Sequence, residues 1–383
     1  MQHRWLGQPQ SLFKGMIEII RYVLALIVVQ THLWPVGIRT IGWQAVFAFY
    51  TLSGYLMTRV LHERYGFTAS GRAAFLINRV LRLWPAYLVV IGATGLALRF
   101  YPLDRFLSNL TPPHSWFDAI TNLTILGQAG FDYEFALLQA RWAPTSWSLS
   151  IEFCSYCLLA FYFARTPRRL LGFALLGLIG ISLSTGVCIA RPAPFYGPYC
   201  ALNRYGVVQA GFIPFALGGL IYFYRPAVRQ HIGSFLPWYA VALLAGEVAV
   251  AKNTFFSVTF GPFLGAVMMF AVLAWHGAGT RPSTPIDFVG RAAYHLFIAH
   301  LSVAAVLVVA LGERVNSFGV FVLSVMLALA FSAALVPLEW RLNRLRNLVL
   351  RRATGNVPVG ETSDGPRVRD ISVADMRSER SIL

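Results

Sequence analysis

Charged side chains are scarce in this sequence. Asp, Glu, Lys and Arg make up 13% of its 383 residues, whereas 57% of the residues are hydrophobic and the mean hydropathy is +0.59. Soluble domains carry roughly 25% charged residues. The shortage of charge excludes an ordinary soluble domain and indicates an integral membrane protein.

Lysine and cysteine are also rare. Only Lys14 and Lys252 are lysines among the 32 basic residues, which leaves two explanations open: a GC-rich genome, or arginines selected for anion binding at a few positions. Of the four cysteines, Cys154 and Cys157 lie in an apolar stretch and are interpreted as small core residues rather than as a redox or metal motif. Cys188 and Cys200 flank a predicted outer loop, where a disulfide is chemically allowed.

Long apolar runs, by contrast, are abundant. A transmembrane helix needs about 20 mostly apolar residues. This length predicts about ten spans in an all-α polytopic protein, at 16–34, 43–62, 80–99, 146–164, 170–188, 207–224, 236–251, 255–275, 288–311 and 317–340. We therefore expect a transmembrane domain over 1–352, and a disordered cytoplasmic tail over the polar residues 353–383.

The basic residues predict the orientation of these spans. If the N-terminus is cytoplasmic, nineteen Arg and Lys fall in inside segments and eight in outside segments, and the long outside loop 100–145 collects acidic residues. The positive-inside rule then places both termini in the cytoplasm. The net charge of +16 is explained by topology and by attraction to anionic lipid headgroups, so no nucleic-acid partner is expected.

The first apolar segment carries two ionisable residues in RYVLALIVVQTHLWP, residues 21–35. Arg21 and His32 are eleven positions apart, which places them on one helical face about 16 Å apart along the axis. That arrangement suits a long anionic ligand that is gripped at one end and reacts at the other. Alternatively, Arg21 extends to the interface and His32 lies at the outer membrane boundary. Helix geometry alone leaves both readings open.

A second polar group follows in RWAPTSWSLSIEF, residues 141–153. Pro144 to Ser146 predict a helix start with Ser146 as the N-cap. Glu152 then lies at a depth close to that of His32, so a His–Glu pair that acts as a general base is geometrically allowed. A structural pair of Glu152 with an arginine is the alternative.

Other intramembrane polar residues are weaker candidates. Arg79 and Arg82 share a helical face near the cytoplasm, where they either clamp a phosphate or act as ordinary positive-inside anchors. His300 lies near mid-membrane and needs a partner or a site, while His295 is interpreted as structural. The two small residues Ser53 and Gly54 indicate either tight helix packing or room for a ligand.

Six blocks along the chain resemble, in order, those of the membrane acyltransferase-3 family of O-acyltransferases. The blocks are IEIIRYVLALIVVQTH, AVFAFYTLSGYLMT, FLINRVLRLWPAY, WSLSIEF, FIPFALGGLIY and GRAAYHLFIAHL, at 17–32, 45–58, 75–87, 147–153, 212–222 and 290–301. Four residues of this sequence differ from the usual family pattern: Glu18, Tyr22, Phe47 and Asn78. Asn78 stands where the first arginine of a pair is usual.

The resemblance implies a membrane O-acyltransferase. Acyl-CoA, by default acetyl-CoA, would dock its phosphates on Arg21, Arg79 and Arg82, and no metal is expected. His32, helped by Glu152, would activate a sugar hydroxyl or briefly carry the acyl group.

The resemblance also bears on substrate and location. We expect Ser53, Trp147 and His300 to bind substrate. The acceptor would be a glycan such as an exopolysaccharide, cellulose or lipopolysaccharide, with a polysaccharide synthase complex as a candidate partner and the bacterial inner membrane as the location. A transporter or flippase for a sugar or an acylated intermediate is the alternative, because intramembrane His and Glu suit proton coupling.

Overall fold

The computed structural model describes residues 15–35, 41–130, 140–190, 204–230, 260–276, 284–312 and 317–354, together with residue 245. Three predictions fall outside these ranges wholly or almost wholly. They are the span 236–251, the tail 353–383 beyond residue 354, and Cys200 as the disulfide partner. Within the described residues, Cys188 is disulfide-bonded, whereas Cys154 and Cys157 are free.

Every regular element in the described ranges is helical. In the described ranges, residue 245 aside, we number ten helices: α1 Met16–Leu33, α2 Ile41–Val60, α3 Ala69–Ala97, α4 Trp116–Thr124, α5 Ser146–Phe161, α6 Pro167–Ala190, α7 over 212–230, α8 Gly261–His276, α9 Thr284–Leu311 and α10 Phe318–Thr354. A π-helical turn at Leu61–Tyr65 continues α2. Short 3₁₀ turns lie at Leu103–Arg105, Phe163–Arg165 and Val208–Gly211.

Five of these helices are long and apolar enough to cross a membrane. Their apolar parts are Met16–Leu33, Ala69–Ala97, Pro167–Ile189, Phe288–Leu311 and Phe318–Ala353, and two shorter apolar helices cover Ser146–Phe161 and Gly261–Trp275. The all-helical membrane architecture is therefore confirmed. The count of ten spans and the cytoplasmic position of both termini remain predictions.

The start of α3 differs from the prediction. The helix begins at Ala69, not near residue 80, because the Thr68 hydroxyl accepts a hydrogen bond from the Gly71 backbone N–H and caps the first turn. The polar residues of its first two turns do not resemble a membrane span, so hydropathy placed the start too late. Pro85 lies inside the helix, which is tolerated in membrane helices.

Small residues bring the central helices together. A Cβ on Gly54 of α2 would lie 2.1 Å from the Phe215 carbonyl oxygen of α7, and a Cβ on Gly218 would lie 1.9 Å from the Thr51 oxygen. The two backbones therefore touch, which confirms the tight packing predicted from the Ser53–Gly54 pair. Phe47 and Phe215 are fully buried beside this crossing.

The outward face of α6 is apolar and open. Leu171, Leu175, Leu178 and Leu183 are each more than half exposed, at 57%, 56%, 55% and 64%. An exposed leucine stripe of this length is unfavourable in water but matches the hydrocarbon interior of a bilayer. The structure thus assigns α6 to the lipid-facing side of the bundle.

Candidate active site

A pair of histidines lies at the end of α1. His32 is in the last turn of α1 and is exposed, whereas His300 of α9 is completely buried. Nδ1 of His32 lies 3.0 Å from Nε2 of His300, and the rings stack with centroids 5.2 Å apart and an interplanar angle of 21°. His32 therefore lies one residue before the end of α1, close to the end of the predicted span 16–34, and its partner is a second histidine.

The surroundings of His300 determine where the protons of this pair lie. Nδ1 of His300 is 2.9 Å from the Phe297 carbonyl oxygen and 3.2 Å from that of Leu296. Carbonyl oxygens only accept, so Nδ1 must carry a proton, and in the neutral ring Nε2 is then an acceptor. Nδ1–H of His32 donates to it. In a neutral His32, Nε2 is consequently left with a free lone pair.

The same carbonyl links the pair to the start of α5. The Thr145 hydroxyl donates to the Phe297 oxygen at 3.1 Å, and the Ser302 hydroxyl donates to the Trp142 oxygen at 3.0 Å. These two bonds fix α9 against the segment that leads into α5. Thr145, not Ser146 as predicted, occupies the N-cap position, and its side chain makes this contact instead of capping the helix.

Glu152 of α5 belongs to a hydrogen-bonded group that does not include the two histidines. Its Oε1 accepts hydrogen bonds from the Ser53 hydroxyl, at 2.8 Å, and from the Tyr156 hydroxyl one turn further along α5. Glu152 forms no hydrogen bond or ion pair with His32, so the predicted His–Glu pair is not present. The reason is helix placement, because the buried His300 occupies the hydrogen-bonding side of His32.

A narrow cavity of about 50 Å³ opens beside Glu152. Its polar lining includes Arg21, Ser53, Glu152 and Tyr294. The Arg21 guanidinium makes no hydrogen bond or ion pair with any described residue, although Glu152 lies near enough to act on it electrostatically. A guanidinium beside a carboxylate gives this cavity one positive and one negative group inside an otherwise apolar bundle.

The two arginines of α3 have different surroundings. Arg79 is buried, its Nη1 donates to the Met57 sulfur at 3.5 Å, and its guanidinium lies 5.5 Å from the centroid of the Phe75 ring. Those contacts anchor α3 and leave Arg79 little surface for the phosphate contact that was predicted. Arg82 instead lines a second, larger cavity between α3, α9 and α10.

The three expected substrate residues are also separated. Ser53 lines the narrow cavity. His300 is fully buried behind His32, so it positions a neighbour and has no surface for the substrate contact that was expected. Trp147 packs edge-on against Tyr205, with ring centroids 4.9 Å apart.

Sequence reasoning missed Tyr156 and Tyr294. Tyr156 is four residues after Glu152, the spacing that brings side chains together on a helix, so its role could have been predicted. Tyr294 reaches the Leu83 carbonyl oxygen at 2.7 Å across a separation of 211 residues, for which the sequence carries no local signal. Among the described residues no group of three or more His, Cys, Asp or Glu is arranged to hold a metal.

The chain matches a protein-family model. A family model described as an acyltransferase domain, Acyl_transf_3, matches residues 15–336. The match covers both histidines, Glu152, and the arginines of α1 and α3. No curated protein and no solved structure matches the chain.

Proposed function

Because the chain belongs to the acyltransferase-3 family, we propose that it moves an acyl group from cytoplasmic acyl-CoA to a hydroxyl of an exported or cell-surface glycan. The family and the membrane-type helices make the protein a membrane acyltransferase. The acyl-CoA donor, the acetyl group, the glycan acceptor and the bacterial inner membrane are parts of the proposal.

The hydrogen-bond chain that ends at His32 is the observation that carries the proposal. The Phe297 carbonyl orients His300, and His300 accepts from Nδ1–H of His32. Nε2 of the exposed His32 is then available as a base, held in one tautomer by its neighbour. This is the role that a third group plays in other acyl-transfer sites, where it orients a catalytic imidazole.

The reaction follows from that lone pair. Nε2 of His32 takes the proton from the acceptor hydroxyl while the hydroxyl oxygen bonds to the thioester carbonyl carbon. The carbon–sulfur bond then breaks, and the imidazolium returns the proton to the departing CoA thiolate. A base that works in this way contributes about 10²- to 10⁴-fold to the rate.

The separation of Arg21 from His32 supports an extended donor. Both residues lie on the single helix α1, eleven positions apart, which corresponds to about 16 Å along the axis. We place the reacting thioester at His32 and the polar middle of the donor beside Arg21 and Glu152. Glu152 then positions the donor and does not activate His32.

The test is the acyl content of surface glycan in cells that carry His32→Ala. We expect loss of acylation in a variant that inserts normally, and wild-type acylation in the control His114→Ala, which changes an exposed histidine of the loop before α4. Normal acylation by the correctly inserted His32 variant would overturn the proposal. Glycan export without acyl transfer from labelled acyl-CoA would favour the flippase alternative.

A further inference from the structure

Another cavity lies between α3, α9 and α10, closer to the Leu311 end of α9 than the cavity that Arg82 lines. It encloses about 260 Å³, and its lining includes Val89, Ala93, Val303, Val306, Leu327 and Phe331. We refer to it as the apolar groove. Its lining on α9 runs over positions 299–307, which corresponds to about 12 Å along the helix axis. The groove therefore extends over about two turns of a membrane-type helix.

The lining of the apolar groove is almost entirely hydrocarbon. Among the described residues that border it, only Thr94 and Ser302 are polar. The Thr94 hydroxyl donates to the Val90 oxygen at 2.9 Å, and the Ser302 hydroxyl donates to the Trp142 oxygen at 3.0 Å. Both hydroxyl protons are thus already bonded within the protein. A polar ligand would lose its hydrogen bonds to water here without replacing them, whereas a hydrocarbon chain has none to lose.

The apolar groove opens to the surroundings of the helix bundle. Val89 of α3 and Leu327 of α10 are 41% and 42% exposed, and Ala93 of α3 is also exposed. All three lie in segments that are long and apolar enough to cross a membrane. Bilayer hydrocarbon therefore borders the rim of the groove, and the groove is continuous with the lipid-facing surface of the protein.

Trp142 bridges α3 and α9 beside the groove. Its ring lies against Gly95 of α3, where an added Cβ would lie 2.7 Å from a ring carbon, and its carbonyl accepts from Ser302 of α9. Nearer to the start of α9 the same two helices bond directly, because the Tyr294 hydroxyl donates to the Leu83 oxygen at 2.7 Å. The groove thus lies where a bulky indole stands between the two helices in place of a direct bond.

The groove and the histidine pair lie on different faces of α9. Ala299, Val303 and Val306 border the groove at positions i, i+4 and i+7, which form one stripe of a helix. His300 follows Ala299 and is therefore rotated by about 100° from it, toward His32 of α1. This separation favours an occupant that enters from the bilayer over an acyl group that reacts at His32.

From these observations we propose that the apolar groove binds one hydrocarbon chain of a bilayer lipid. The predicted topology assigns that chain to a lipid of the outer leaflet. A bound chain fills a space whose apolar walls otherwise lack packing partners, so it stabilises the contact between α3, α9 and α10. The proposal goes beyond the proposed function and depends neither on its donor nor on its acceptor.

Crosslinking of a photoreactive lipid to purified full-length protein in nanodiscs is the test. The probe is phosphatidylcholine with a diazirine in one acyl chain, present as a minor fraction of the nanodisc lipid. Label is read by peptide mass spectrometry on the α10 segment that contains Leu327 and Phe331. We expect this segment to be labelled more strongly than the exposed leucine stripe of α6, because α6 contacts only exchanging lipid.

Substitutions that fill the groove should remove this label. Ala93→Phe places a ring in the groove from α3, and Val306→Phe does so from α9. We expect each to lower the label on α10 by about tenfold or more, the size of effect that overpacking a filled site produces. The matched control is Ala333→Phe, which adds the same ring at an exposed position on the side of α10 away from Leu327 and Phe331. The control should keep the wild-type label.

Thermal unfolding gives a second reading that does not use the probe. Adding phosphatidylcholine to the delipidated wild type in detergent should raise its Tm, because a ligand that binds only the folded state stabilises it. The rise should be smaller in Ala93→Phe, in which the ring already occupies the groove, and unchanged in Ala333→Phe. If Val306→Phe does not fold, Ala93→Phe carries both measurements, since Ala93 is exposed and its replacement displaces no buried side chain.

Three results would overturn the proposal. The first is a label on α10 that is the same in the wild type and in the folded filling variants. The second is loss of the label when long-chain acyl-CoA is added, which would assign the groove to the acyl chain of a donor. The third is a dimer in native mass spectra that Ala93→Phe converts to monomer, which would assign the groove to a second copy of the chain.

Discussion

The two ends of α1 differ in how their polar side chains are paired. At the His32 end, every polar group of the histidine pair that faces protein is hydrogen-bonded, and the chain of bonds runs back to the backbone of α9. At the Arg21 end, guanidiniums face cavities with few or no partners in the described part of the protein. The proton positions at the His32 end are therefore fixed by neighbouring groups, whereas the Arg21 end keeps a guanidinium that pairs with no described residue.

This contrast teaches how each end should respond to mutation. The hydrogen bonds at the His32 end orient the imidazole ring. A change there should therefore lower the rate of the chemical step and leave donor affinity intact. An unpaired guanidinium contributes by attracting the anionic donor. A change at the Arg21 end should therefore alter the affinity for the donor more than the rate of the chemical step. The first of the next three predictions tests this difference directly, and the other two concern the group around Glu152.

The largest effect in this series is expected for His300→Ala. The change removes the acceptor of Nδ1–H, so His32 can rotate and adopt either tautomer, and we expect roughly a 10²-fold lower acyl-transfer rate at saturating donor. The Kd of CoA should stay within twofold. His300→Gln retains a side-chain acceptor and should recover part of the rate. Equal loss of rate and affinity would show that His300 contributes to the donor site.

A smaller effect is expected for Glu152→Gln. The amide oxygen can still accept from Ser53 and Tyr156, and the His32–His300 pair is not touched. We expect a rate loss of about tenfold or less, on the scale of one charge-assisted hydrogen bond. The measurement is acyl transfer in membranes that contain Glu152→Gln, compared with membranes that contain His32→Ala. A Glu152→Gln defect as deep as that of His32→Ala would restore the idea that Glu152 activates His32.

The smallest effect is expected for Tyr156→Phe. The change removes one hydrogen bond to Glu152 and leaves the ring in the core, so unfolding should become easier by about 0.5–1.5 kcal/mol. Thermal unfolding in detergent would measure it. Tyr162→Phe is the control, because Tyr162 is 52% exposed at the end of α5. A loss of stability as large in the control as in Tyr156→Phe would contradict a specific role of the Tyr156 hydroxyl.

The local parts of the site could be predicted from the sequence because they depend on short-range geometry. Arg21 and His32 lie on the single helix α1, and α5 begins at Ser146 with Glu152 in its second turn. Helical spacing alone fixes those relations. The boundary errors have the same local origin, since the polar first turns of α3 lacked the hydropathy of a membrane span.

The partners of these residues could not be predicted in the same way. His32 and His300 are 268 residues apart, and so are Asn78 and Arg346. No periodicity connects positions at that separation, and intramembrane His, Glu and Arg residues each admit several partners. The sequence therefore suggested Glu152 for His32, and the packing of α9 against α1 supplied His300 instead.

Composition and periodicity by themselves determined that this chain is a helical membrane protein, because lipid demands long apolar helices wherever the backbone crosses it. The six sequence blocks, in their order along the chain, also indicated its membership in an acyltransferase family. Only the tertiary structure decided which nitrogen of His32 is free and which arginines face a cavity. Proton direction and unpaired charge depend on atoms within about 3–4 Å, and helix packing alone brings such atoms together.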